Sequence, residues 1–128
     1  MSVLELNGRV FDASTTGTLT LTSEGGAATT DVTQGLAKAW CRGGTDAGVS
    51  DSLNVLSSTD NGTGNYTYSF SSSLSNTTYV SNTAAATGND RNATSNSTIA
   101  SSFVLEVFDQ AGNNTDSANL STIHGDLA

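Results

Sequence analysis

The stretch Asn65-Tyr66-Thr67-Tyr68-Ser69-Phe70 constrains the fold more than any other part of this chain. Its aromatic residues recur at every second position, which marks a strand with one buried face. A helix would scatter Tyr66, Tyr68 and Phe70 around its axis. A strand puts all three on one side, with Thr67 and Ser69 on the other. The chain therefore contains a sheet with an aromatic face, and something must cover that face.

The rest of the composition says how. Apolar residues make up 35% of the 128, but fourteen of them are Ala, so large core formers are scarce. Ser and Thr supply 39 residues, Asn 12 and Gly 13, while charged residues are only 12% against the roughly 25% usual in a soluble domain. β-Branched Thr suits a half-exposed pleated surface, and Ser, Asn and Gly suit tight turns. Intrinsic disorder is the rival for so polar a chain. The absence of Pro and the ordered alternation of the aromatics oppose it. A length of 128 residues allows one modest core. With so few large side chains, that core is expected to be completed by partner subunits.

Residues 1–36 read as an N-terminal arm. Val3, Leu4 and Leu6 lead to Arg9-Val10-Phe11, and Thr18-Leu19-Thr20-Leu21-Thr22 alternates. These are short strands separated by Gly8 and Gly17, and Ser23 to Ala28 is a flexible break. Two strands with so few apolar groups do not stand alone in water. The section is therefore expected to pack on the module, on a symmetry mate or on another protein. Leu4, Leu6, Leu19 and Leu21 are expected at an interface, where strand addition to a neighbouring subunit supplies main-chain hydrogen bonds, with an intramolecular sheet edge as the alternative.

Residues 37–128 read as a small sandwich of six to eight short strands. Ala37, Ala39 and Cys41 share one face of the first, Lys38 and Trp40 the other. Ser52 to Ser58 reads as one strand, joined to Asn65–Phe70 through a turn at Thr59-Asp60-Asn61-Gly62-Thr63-Gly64, where Asn and Gly tolerate positive φ. Thr78 to Ser81 is a further strand, and 82–98 reads as loops and edge strands. Phe103, Leu105 and Val107 face one way from the most apolar strand, with Val104 and Phe108 on the other. Two partly apolar faces place this strand inside the sandwich or at a subunit seam, with Leu105 and Val107 as the interface candidates. A turn at 109–114 precedes a last strand over 115–123.

The net charge of −8, with four Lys or Arg, argues against nucleic acid and against anionic membrane surfaces. Cys41 is the single Cys, so no internal disulfide forms. The N-terminus lacks a basic region followed by an apolar stretch, so no signal peptide is expected, and no apolar run approaches the roughly 20 residues of a membrane helix. Sequons at Asn61, Asn65, Asn76, Asn92, Asn96, Asn113 and Asn119 then read as chance in a chain rich in Asn, Ser and Thr.

Several blocks resemble a module recurring in tail-fibre-type proteins of phages and prophages, common in marine and cyanobacterial phages. They are Ala37-Lys38-Ala39-Trp40, Asp51-Ser52-Leu53-Asn54-Val55, and above all Ser58-Thr59-Asp60-Asn61-Gly62-Thr63-Gly64-Asn65-Tyr66-Thr67. Phe70, Tyr79 and the closing Ile123-His124-Gly125-Asp126-Leu127-Ala128 fall in similar order, so the resemblance covers residues 35–128. The chain departs from the module at Cys41-Arg42-Gly43-Gly44-Thr45 and at Ser71 to Thr78. The resemblance implies a virion protein, made in the host cytoplasm and assembled as a homotrimer with other virion proteins. It supplies no catalytic residues.

Site chemistry read from the residues agrees. His124 beside Asp126 has no nucleophile or oxyanion donors with it. The loop at Asp60 has one carboxylate where a calcium loop needs several. Paired acids of a carbohydrate-active enzyme cannot be singled out among Asp12, Asp31, Asp46 and Asp51. No catalytic residue, cofactor or metal is expected. Trp40, Tyr66, Tyr68 and Tyr79 could stack on a host-surface glycan, but in so apolar-poor a chain they are expected in the core, with Tyr79 the candidate for surface recognition. The expected protein is thus an all-β, non-enzymatic tail-fibre or tail-adaptor component, with capsid decoration as the alternative.

Overall fold

A computed structural model of the chain describes residues 3–6, 9–12, 20–22 and 29–128. The chain divides into two compact units, Met1–Leu36 and Ala37–Ala128. In the first, β1 (Val3–Leu6) pairs antiparallel with β2 (Arg9–Asp12), and β3 (Thr20–Thr22) with β4 (Thr29–Asp31). One helical turn, α1 (Val32–Gly35), follows. Each strand thus has one edge satisfied by its partner within the unit. Strand β4 escapes sequence reading because Thr-Thr-Asp is too short to show a period.

The second unit is all-β. Its strands are β5 (Ala39–Gly43), β6 (Val49–Leu53), β7 (Val55–Gly62), β8 (Asn65–Phe70), β9 (Val80–Ala85), β10 (Arg91–Ile99), β11 (Ser102–Asp109) and β12 (Asn119–His124). They form two antiparallel four-stranded sheets, in the orders β6-β5-β12-β9 and β10-β11-β8-β7. The strands richest in large apolar residues, β8 and β11, are central neighbours in the second sheet. Tyr68 lies opposite Phe103 and Tyr66 opposite Leu105. The Tyr68 and Phe103 rings stack at 5.3 Å, and Phe70 stacks on Phe103 at 5.8 Å. Such cross-strand pairs are the unit of sheet stabilisation.

Opposite this bulky face, the first sheet turns inward only small or slender side chains: Ala39, Cys41 and Gly43 from β5, and Asn119, Ser121 and Ile123 from β12. Large residues packed onto small ones let a few aromatics close a core at normal density. The added Cβ of any other residue at Gly43 would collide with the Tyr68 hydroxyl and lie 2.8 Å from Asn119 Oδ1. That hydroxyl donates to Asn119 Oδ1 at 2.9 Å and ties the two sheets together.

Residues 52–58 are not one strand. Asn54 has φ of 58° and sends the chain from the first sheet at Leu53 to the second at Val55. Asn tolerates this left-handed geometry. Its side chain also clamps the far end of β8: Nδ2 donates to Ser72 O at 3.0 Å, and Oδ1 accepts from Ser72 N at 2.7 Å. Segment 82–98 lies largely in β9 and β10, each an edge of its sheet. The alternation of β8 and β11 is as expected from sequence: Tyr66, Tyr68, Phe70, Phe103, Leu105 and Val107 are all buried.

Candidate functional site

The block from Ser58 to Thr67 forms most of the β7–β8 hairpin. Its turn is tighter than expected, because β7 continues to Gly62 and only Thr63 and Gly64 lie between the strands. Asp60 Oδ1 accepts from Gly62 N at 2.8 Å. Asn61 Nδ2 reaches Asn65 Oδ1 at 2.9 Å and Thr67 Oγ1 at 2.8 Å. Gly64 has φ of 64°, and a Cβ there would meet the Val107 carbonyl and lie 2.7 Å from Thr115 N. Its own N–H donates to Asp116 Oδ1 at 2.8 Å, and its carbonyl accepts from Val107 N at 2.7 Å. Glycine is needed here both for its conformation and for its lack of volume. The Asn65 amide donates to Glu106 Oε1 at 3.0 Å across the sheet.

The buried Tyr66 side chain of this hairpin gathers polar partners at its hydroxyl. The Tyr66 hydroxyl lies 3.1 Å from Thr45 O and 3.3 Å from Asp116 Oδ1, and accepts from Ser117 N. Burial raises its pKa above the ordinary tyrosine value, and the neighbouring Asp116 adds to the effect. Burial likewise pushes Tyr68 up to about 12, with the Asn119 hydrogen bond acting against the rise. The Cys41 thiol is pushed up to about 11 by burial. A thiol so protonated is a core residue and no nucleophile. Asp109 is held below the usual carboxylate range by its hydrogen bonds from Asn113, backbone N–H first, within the turn that follows β11.

Trp40 is where the structure corrects the sequence reading. It faces outward on β5 and is 37% exposed, on the face away from the core. The register sets two rows across the outer surface of the first sheet. Leu53, Trp40 and Thr122 form one; Asp51, Arg42 and Leu120 form the other. Leu53 and Leu120 are exposed as well. Between these rows lies an open depression of about 660 Å³, lined by Trp40, Arg42, Ser50, Asp51, Leu120 and Thr122 among others. Tyr66 and Tyr68 are in the core as expected. Tyr79 is half-buried, packs edge-on against Phe70 at 6.1 Å and donates to Ser102 O at 2.9 Å.

The interface candidates fare differently. Leu105 and Val107 are wholly enclosed by their own chain, so their side chains offer no surface to a subunit seam. Two faces of β11 are partly apolar because it is a central strand. Leu4 and Leu6 fall on β1 and Leu21 on β3, with their side chains outside the described residues; Leu19 and the break over 23–28 lie outside them altogether. Among the described residues, no group of three or more His, Cys, Asp or Glu comes together, and no helix is long and apolar enough to cross a membrane. In comparisons with known proteins, no family model, curated protein or solved structure matches this chain.

Proposed function

We propose that this chain is a non-enzymatic structural protein of a bacteriophage virion, a tail-fibre or tail-adaptor component. One observation carries the reading. The residues that most specifically resemble the tail-fibre module, Asp60, Asn61, Gly62, Gly64 and Asn65, are engaged in building and locking a hairpin. A motif whose polar groups are matched to one another is a folding determinant, and a family sharing it shares a scaffold. On this reading Met1–Leu36 is the attachment unit, and Ala37–Ala128 is the module that a homotrimer presents at the virion surface. Partners are other virion proteins, with a host-surface glycan as the outward contact.

Immunogold labelling of purified virions tests this, combined with light scattering of the isolated protein. Label at the tail and a trimeric mass support the reading. Label spread evenly over the capsid shell would instead assign the chain to capsid decoration. A protein missing from virions would overturn both.

A further inference from the structure

We infer that the outer face of the β6-β5-β12-β9 sheet is a binding site for a neutral saccharide, with Trp40 as its stacking platform. This deepens the proposed outward contact, and its biological role rests on that reading. The binding itself is a property of the isolated chain, so either can fail while the other stands.

The argument begins with where the sheet puts its aromatic groups. Tyr66, Tyr68, Phe70 and Phe103 are all buried, yet Trp40 is turned out to solvent beside Leu120 and Leu53. Trp40, Leu53 and Leu120, each partly exposed, are neighbours on one sheet face, and apolar groups gathered in this way mark a contact surface. Polar groups converge on the same depression. Arg42 lies between Asp51 and Leu120 in register, and its guanidinium takes no hydrogen bond or ion pair among the described residues. Asp51 uses one carboxylate oxygen on the Ser52 N–H at 2.9 Å. Ser50 and Thr122 line the same depression.

An unpaired guanidinium next to a carboxylate is a matched set of donors and acceptors with no net charge. It suits a ligand that both accepts and donates, as neighbouring hydroxyls do. The indole and the Leu120 side chain suit a ligand that also has an apolar C–H face. A sugar ring has both. A predominantly apolar lining with a few placed polar groups is the usual make-up of a small-ligand site. An acidic ligand is disfavoured, since the chain carries a net charge of −8 and the Asp51 carboxylate lies next to Arg42 in register.

Trp40 is the only Trp in the chain, so its fluorescence reports on the site directly. The full chain should be screened on an array of neutral and sialylated glycans. Neutral oligosaccharides of glucose, galactose, mannose and N-acetylglucosamine should then be titrated against Trp emission and by calorimetry. At least one should bind with saturable change in emission. Trp40→Ala should abolish binding, while Arg42→Gln and Asp51→Asn, on exposed side chains, should weaken it about tenfold or more with far-ultraviolet dichroism unchanged. No response to any neutral sugar up to about 10 mM would overturn the inference. So would binding confined to sialylated glycans, or binding untouched by all three variants. A light-scattering mass that falls to monomer in Arg42→Gln or Trp40→Ala would overturn it too, by showing that a second copy of the chain covers the face.

Discussion

The contact of Gly43, Tyr68 and Asn119 between the two sheets allows a sharp test of how this core is packed. Tyr68 and Asn119 are fully buried and share a 2.9 Å hydrogen bond. Tyr68→Phe would leave the Asn119 carbonyl oxygen without its donor, at a cost of about 1–3 kcal/mol. Gly43→Ala would place a methyl group against that hydroxyl, and overpacking of this kind costs about 1–3 kcal/mol. The two effects are not independent, because Tyr68→Phe removes the very atom with which the methyl collides. The added Cβ would still sit 3.0 Å from Tyr68 Cζ and 2.8 Å from Asn119 Oδ1, so relief is partial. The double variant should therefore be more stable than the sum of the single effects by about 1 kcal/mol, within the range known for residues in contact. Chemical and thermal unfolding of the full chain, followed by circular dichroism, would measure this; about 4 °C in Tm per kcal/mol is expected at this size. Additivity within about 0.3 kcal/mol would refute the packing argument. So would a Tyr68→Phe variant as stable as the parent, which would mean that water meets the hydroxyl.

Other consequences follow from the same core. Cys41 is buried and its thiol titrates near 11, so alkylation at pH 8 should be slow in the folded protein and fast in denaturant; rapid labelling of the folded chain would contradict its placement. Tyr66 and Tyr68 have pKa values raised by folding, Tyr68 to about 12, so the folded state holds protons that the unfolded chain releases. The tyrosine contribution to stability should then be fully present below about pH 10 and be lost as the pH rises through about 12, seen as tyrosinate absorbance appearing together with unfolding. Flat stability across that window would exclude the buried hydroxyls. Asn54→Ala should destabilise more than Asn54→Gly by about 1 kcal/mol, because both lose the Ser72 clamp but only Ala resists the left-handed backbone. Equal losses would show that the clamp alone matters.

What was legible in the sequence, and what was not, has a physical basis. Tyr66 to Phe70 and Phe103 to Val107 could be assigned to strands and faces, because large apolar groups at every second position leave only one face to bury. The strands β9 and β10 carried no such signal. They are sheet edges built from Ala, Ser, Thr and Asn, where little side-chain volume reaches the core. The break at Asn54 was hidden for a different reason. Alternation of apolar and polar residues continues through Leu53-Asn54-Val55, and only the left-handed backbone of Asn54 shows that the two Leu53 and Val55 strands belong to different sheets.

Trp40 shows why residue type and residue facing must be argued separately. Its alternation with Ala39 and Cys41 put it on the opposite face from them, correctly. Its size then argued for the core. That inference assumed each face is judged alone. In a sandwich the inner face of one sheet is sized by the other, and here β8 and β11 bring Tyr66, Tyr68 and Phe103 into the shared space. Only Ala, Cys and Gly can face them from β5 without overpacking. The aromatic richness of one sheet therefore expels Trp40 from the other, and leaves it beside Arg42, Asp51 and Leu120. These four residues come from three strands, β5, β6 and β12, whose adjacency depends on pairing between residues as far apart as Trp40 and Thr122. No local pattern in the chain could have brought them together, although each was visible in it.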